Sequence, residues 1–331
     1  MRGKWVLPAL AVVVLQTSCF DFSGYRRTSE SADAGDPPDG GSASPESICG
    51  TGFSRGNPGR DACLSQNCCD QFLACVGDPA CKACLQSSAD PGCAENVLGK
   101  NWRECEEARC SCGPEHGGPL LVMLPQGYCI DATEVTRAQY AAWLDTNPQT
   151  LSQPPQCSWN DSFEPLCEWP LEGKGNHPVV CVDWCDAFAY CQGVGKRLCG
   201  KIGGGANGFY DVDNASTSQW YSACSMAGVR DYPYGDTYED AACHGRKNDP
   251  ETTIEVGDLA SCQSYLGVFD LSGNVWEWED ACADSIGRFD ECRVRGGGFD
   301  SDGRMRCDVV TMTKTNRFLA APNLGFRCCA L

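Results

Sequence analysis

Apolar residues are spread along this chain in four different ways, and each pattern predicts a different kind of segment. Trp5 to Leu15 is an apolar run of about eleven residues, too short for a helix to cross a bilayer. Residues 20–48 carry almost no apolar side chain after Tyr25 and are dominated by Ser, Gly, Asp and Pro. Such a stretch cannot bury enough surface to offset its ordering entropy, so an extended tether is expected. Residues 49–112 have no long periodic pattern, but Cys68 to Cys75 is poor in strand formers and Asp78-Pro79 reads as a helix start. Short helices stapled together are expected there. From about residue 119 the texture becomes an irregular α+β pattern with short apolar runs and many Gly and Trp. Helical spacing marks Ala138, Tyr140, Ala141 and Leu144, and again Ala187, Phe188, Tyr190 and Cys191. Trp276 and Trp278 alternate along an extended run, from which opposite facings are expected, one in the core and one free to line a groove.

Cysteine changes the picture most. The chain holds 27 Cys in 331 residues but three His, His116, His177 and His244. That density belongs to disulfide scaffolds in oxidising compartments, and three scattered His cannot supply a rich set of Cys/His metal sites. Eleven of the cysteines fall within residues 49–112, where a small module needs cross-links in place of a large apolar core. Within it, Cys81-Lys82-Ala83-Cys84 has the spacing of a zinc or thiol-exchange pair but lacks the βαβ setting, so disulfides are expected.

Arg2 and Lys4 precede the apolar run, which makes residues 1–19 a signal peptide. Leu15-Gln16-Thr17-Ser18-Cys19 is similar to a bacterial lipoprotein cleavage site, with Gln16 and Leu15 out of the usual places. Cys19 is then the lipidated residue, which leaves 26 cysteines, an even number, to pair. The expectation is a protein secreted across the inner membrane and lipid-anchored to the cell envelope, at the outer membrane. A net charge of −18 argues against a nucleic-acid partner and against direct binding to an anionic membrane surface, so any membrane contact is through the lipid alone.

Several motifs follow one another in a fixed order after residue 119. Tyr128-Cys129-Ile130-Asp131 runs into Glu134-Val135-Thr136 and Gln139-Tyr140. Then come His177-Pro178-Val179-Val180, Asp183-Trp184, Ala189-Tyr190-Cys191, Gly195-Lys196-Arg197-Leu198, Gln219-Trp220 and Tyr232-Pro233-Tyr234-Gly235. Phe269-Asp270-Leu271-Ser272-Gly273-Asn274-Val275-Trp276-Glu277-Trp278 is the strongest stretch, followed by Arg293-Val294-Arg295-Gly296-Gly297-Gly298-Phe299 and Gly325-Phe326-Arg327-Cys328. In this order the segment resembles the formylglycine-generating-enzyme (sulfatase-modifying-factor) family. The resemblance implies a loop-rich α+β variant of the C-type lectin fold over 119–331, preceded by the disulfide-stapled module at 49–112.

The resemblance also implies a site. A structural calcium ion would be held by the side chains of Asp270 and Glu277 and the carbonyls of Gly273 and Val275, a hard-oxygen set that suits it. Disulfides Cys191–Cys328 and Cys224–Cys307 are implied, each worth roughly 4 kcal/mol in the chain-entropy account. Apart from the resemblance, Cys282 with Cys292, and Cys243 with Cys262, are expected as local loop staples. The family's enzyme oxidises a substrate cysteine to formylglycine with oxygen, on copper(I) held by two thiolates spaced Cys-x4-Cys. Here those positions fall on Ser301 and Arg306, so no copper is expected. Two functions follow from this. The first is a non-catalytic envelope protein binding a peptide, a glycan or an envelope protein, with Trp276, Phe299 and Ser301 near the groove. The alternative is a copper-dependent oxidase with a rearranged thiol pair.

Overall fold

A computed structural model describes residues 48–331 apart from 55–57, 87–91, 110–111, 113–116, 168–172, 248–250, 303–304 and 312–314. The signal peptide, Cys19 and the tether lie outside the described residues.

The Cys-rich segment folds as five helices: α1 (Pro58–Asn67), α2 (Cys69–Gly77), α3 (Pro79–Gln86), α4 (Gly92–Glu95) and α5 (Val97–Arg109). Its aromatic centre is Trp102 on α5 against Phe72 on α2, with ring centroids 4.8 Å apart. Disulfides Cys49–Cys69, Cys68–Cys105, Cys75–Cys81 and Cys84–Cys93 cross-link the helices. Cys81 and Cys84 thus bond to other partners and not to each other, which removes the zinc and thiol-exchange readings of their spacing.

Beyond it, two small four-stranded sheets carry the rest of the chain. The first has β1 (Leu121–Leu124), β2 (Tyr128–Asp131), β8 (Cys328–Ala330) and β3 (Arg197–Leu198) in that order, all antiparallel. The second runs β6 (Val310–Thr311), β5 (Cys292–Arg295), β4 (Trp276–Cys282) and β7 (Leu324–Phe326), with β4 and β7 parallel. Strands β7 and β8 are consecutive in the chain and separated by Arg327 alone, so this one residue steps from one sheet to the other.

The helices of this region start where the sequence supplies caps. Thr136 and Gln139 form a reciprocal capping box on α6 (Arg137–Leu144), and Asp183 with Asp186 does the same on α7 (Trp184–Gly193). Ser218 caps the short α8 (Gln219–Cys224). Between α6, α7 and the second sheet, Tyr140, Trp143, Tyr190 and Phe326 pack as an aromatic cluster.

Trp276 and Trp278 do not face opposite sides: both belong to that same core, at 2% and 0% exposure. Residues two apart on a strand share a face, so the expectation of opposite facing was wrong. The intervening Glu277 and following Glu279 point the other way. The same periodicity sends the adjacent Cys328 and Cys329 into different layers, bonded to Cys191 on α7 and to Cys199 after β3. Cys224–Cys307, Cys243–Cys262 and Cys282–Cys292 are also formed, and Cys157–Cys185 and Cys167–Cys181 tie the long loop before α7.

Strands β1 and β2 alternate in the same way. Val122, Leu124, Tyr128 and Ile130 enter the core beneath α8, while Met123 and Cys129 point outward. The Cys-rich helices cover that outward face: Ile48, Leu64, Phe72 and Trp102 form one buried cluster with Met123, Cys129 and Ala330. Cys112–Cys129 bonds the two parts covalently. The module is therefore a layer over the first sheet. Starting the chain at residue 117 should expose this face, raising binding of a hydrophobic dye and lowering the yield of monomer. Trp102→Ala should cost about 3–5 kcal/mol and broaden into the same defect. Two separate calorimetric transitions in the whole chain would contradict a shared core.

Candidate functional site

The turn after β5 carries Gly296 and Gly297, both with positive φ (89° and 79°). A Cβ on Gly297 would come within 2.7 Å of Met305, so the turn can fold only with glycine there. It delivers Ser301 and Arg306, the positions implied for copper ligands. Ser301 Oγ accepts from the Gly298 N–H at 2.9 Å, and its carbonyl accepts from Arg246 N at 3.0 Å. Arg306 forms a two-pronged ion pair with Asp231 at 2.8 and 2.9 Å and donates from Nε to Asp308 at 2.9 Å. Cys307 beside it is bonded to Cys224. Every described cysteine is in a disulfide, so no thiolate stands in this region. Tyr232 and Tyr234 stack 5.3 Å apart next to Asp231. Of the residues expected at a groove, Trp276 and Phe299 are buried and only Ser301 is partly exposed.

The loop before β4 brings together the donors named for calcium, but around a guanidinium. Arg327 is fully buried and grips both oxygens of Glu277 at 2.7 Å. The same Glu277 carboxylate accepts from Trp220 Nε1 at 2.8 Å. Arg327 also donates to the carbonyls of Asp131 and Phe269 at 3.1 and 2.8 Å. Asp270 accepts from Gly257 N at 2.6 Å, and Asn274 donates to Glu134 at 3.1 Å. Asp270 and Asn274 are both non-glycine residues at φ 58°, the sharp turn that aims their side chains inward. A Cβ on Gly273 between them would meet the His244 carbonyl at 2.1 Å.

Three buried carboxylates therefore face one arginine. Burial, then the charge of Asp270, pushes Glu134 well above the carboxylate range, and burial lifts Asp270 to about 6. Glu134 is the member that its motif gave no reason to single out: its role depends on the fold bringing it to Asn274. Among the described residues no group of three or more His, Cys, Asp or Glu is placed to hold a metal ion. Of the donors implied for calcium, Glu277 is matched in charge and geometry by Arg327.

A second buried network lies further along β4. Burial alone would raise Glu279, but Arg293 and Arg295, each at 2.6 Å, outweigh it and hold the carboxyl at about 2. At Asp131, paired with Lys196, and at Asp280, near Arg197 and Arg317, burial outweighs the cations and lifts each carboxyl to about 6; at Asp183 it outweighs two backbone hydrogen bonds and lifts it to about 7.

Residues 98–330 match the model of the sulfatase-modifying factor enzyme 1-like domain. The chain belongs to this family. Over 170 residues it is 28% identical to the inactive C-alpha-formylglycine-generating enzyme 2 of Mus musculus, covering 46% of this chain and 48% of that protein. It is 32% identical over 186 residues to the formylglycine-generating enzyme of Streptomyces coelicolor, covering 48% of this chain and 54% of that protein. The chain thus spans about half the length of these curated relatives. Among solved structures, PvdO from Pseudomonas aeruginosa is similar at 17% identity and a TM-score of 0.43, over 67% of this chain and 95% of that one.

Two outcomes are expected at this site. Millimolar calcium or a chelator should move Tm by no more than about 1 °C, whereas displacement of Arg327 by a tightly held ion would raise it by several degrees. Stability should also peak on the acid side of neutrality. Asp131, Asp183 and Asp280 keep protons in the folded chain, so their contribution is full below pH 3.8 and is lost as pH rises through about 6 to 7. Glu279 acts oppositely, stabilising above pH 4.5 and losing that contribution as pH falls through about 2. Thermal melts should give a higher Tm near about pH 5 than at neutral pH; a Tm that climbs steadily to neutrality would refute this assignment.

Proposed function

We propose that this protein is a non-catalytic binding protein of the cell envelope, carried by a domain of the formylglycine-generating-enzyme family. One observation carries the reading: the positions implied for the copper thiolates are Ser301 and Arg306, and Arg306 is locked to Asp231 and Asp308. Copper(I) needs soft sulfur ligands, and a guanidinium neither binds a cation nor leaves room for one. The nearest cysteine in sequence, Cys307, is bound to Cys224. That two curated mammalian relatives are themselves named inactive supports the same reading.

In this proposal the signal peptide takes the chain across the inner membrane, a lipid on Cys19 holds it at the outer membrane, and residues 20–48 space the folded part from the surface. Its ligand is a peptide, a glycan or another envelope protein. Calcium plays no part in the proposal, given the pairing of Glu277 with Arg327.

Alkylation of the folded, unreduced protein followed by mass spectrometry tests the central claim. None of the described cysteines should be labelled, and a cysteine-containing sulfatase peptide incubated with copper and oxygen should be returned unchanged. Two labelled cysteines close together, or conversion of the peptide cysteine to its aldehyde, would overturn the reading in favour of an oxidase.

A further inference from the structure

The loop joining β4 to β5, residues 283–291, is built in a way that core packing does not require. Its two ends are clamped by Cys282–Cys292. The Asp290 carboxylate accepts from Ile286 N and Gly287 N at 2.8 and 2.9 Å. From beneath, Arg317 donates to the carbonyls of Gly287 and Asp284 and to Asp290, and Asn316 donates to the Phe289 carbonyl at 2.7 Å. The loop is therefore fixed, and it curls into an open cup of about 570 Å³.

What this fixed loop displays is apolar. Ile286 is 84% exposed and Phe289 71% exposed, although Phe289 meets the Phe318 ring edge-on at 5.5 Å, so most of their apolar surface faces outward. Between them in sequence, the Arg288 guanidinium lies over three rings, 4.9 Å from the centroid of Phe318, 5.4 Å from Phe289 and 5.5 Å from Trp159. The buried arginines are spent on carboxylates and carbonyls: Arg293 and Arg295 on Glu279, Arg317 on Asp290, Arg327 on Glu277. Arg288 differs. It is exposed, its side chain makes no hydrogen bond or ion pair with a carboxylate among the described residues, and it sits in a chain with 44 acidic and 26 basic residues. Stacking on the rings fixes the plane of the guanidinium and leaves its edge donors free, while the apolar surroundings strengthen any bond to an anion.

We propose that this loop is a docking surface for a segment of a partner protein, with an apolar side chain in the cup and a neighbouring Asp or Glu carboxylate on Arg288. Charge complementarity selects this occupant. An anionic lipid surface would meet the net charge of −18 and the acidic Asp284 and Glu291 of the same loop. A single carboxylate bonded directly to Arg288 brings one charge past these acids and gains the paired donors of the guanidinium. The surface is separate from the Ser301–Arg306 region, and the inference holds whether or not that region has lost its chemistry.

The test uses the full, disulfide-intact chain and two fluorescein-labelled peptides, one of alternating Leu and Glu and one of alternating Leu and Lys, read by fluorescence anisotropy. Arg288→Gln should weaken the Glu peptide about tenfold and leave the Lys peptide unchanged, and Arg288→Lys should recover only part of the loss. Ile286→Ser with Phe289→Ser should weaken the Glu peptide even with Arg288 present. All these positions are exposed, and circular dichroism with intact mass confirms folding and disulfides. A Glu peptide that fails to bind, or binds equally well after Arg288→Gln, overturns the proposal. So does a dimer in sedimentation that disappears in the Ile286→Ser, Phe289→Ser variant, which would assign the face to a second copy of the chain.

Discussion

The ion pair between Arg327 and Glu277 holds the two sheets to one another. Arg327 is the single residue between β7 and β8, so its backbone belongs to the point where the chain passes from the second sheet to the first. Its guanidinium reaches Glu277 on β4, the Asp131 carbonyl on β2 and the Phe269 carbonyl of the preceding loop. A buried pair of this kind is not a large net source of stability, because desolvating both ions offsets most of the attraction. Removing one partner is a different matter: the remaining buried charge would cost about 3–5 kcal/mol. The pair therefore acts as a registration device. Only one arrangement of the two sheets satisfies it, and the loop carrying Asp270 and Asn274 takes its shape around it.

Disulfides supply the stability that so little regular structure cannot. The strands are short, and most of the chain between them is loop, whose ordering entropy must be offset by something other than ladder hydrogen bonds. Cys191–Cys328, Cys199–Cys329 and Cys224–Cys307 close loops of 137, 130 and 83 residues, the long closures that restrict an unfolded chain most. Two of them originate on β8, one to each side, so a strand of three residues is held in both directions. The Cys-rich helices extend the same logic. They shield the outer face of the first sheet and are bonded to it through Cys112–Cys129, which makes them part of the scaffold.

On the proposed reading, a chain without the thiolate pair keeps that scaffold because scaffold and chemistry would use different cysteines. Cys307 serves the fold, and the neighbouring Arg306 and Ser301 positions lie on its surface side, where an ion pair with Asp231 can replace a metal without disturbing the core. Function on such a frame then falls to the loops, whose side chains are free to vary over a fixed backbone. The clamped loop at 283–291 is a place where the frame is rigid and its surface is not committed to packing.

Much of this was legible in the sequence. The density of cysteine, the helical spacing in α6 and α7, and the ordered motifs ending in Gly-Phe-Arg-Cys depend on local chemistry or on residues kept in a fixed order. So did the absence of a cysteine at Ser301 and Arg306. What the tertiary structure alone decided concerns long-range pairing. Nothing local tells that Glu277 faces Arg327 fifty residues away, or that Glu134 comes to rest against Asn274 across 140 residues. Nor does the spacing of Cys81 and Cys84 reveal that their partners are Cys75 and Cys93. The shared face of Trp276 and Trp278 was open to the two-residue period of a strand, but their burial depended on which helices the sheet met. A sequence specifies which groups must be neutralised, bonded or buried; the partners that do so are chosen by how the chain returns on itself.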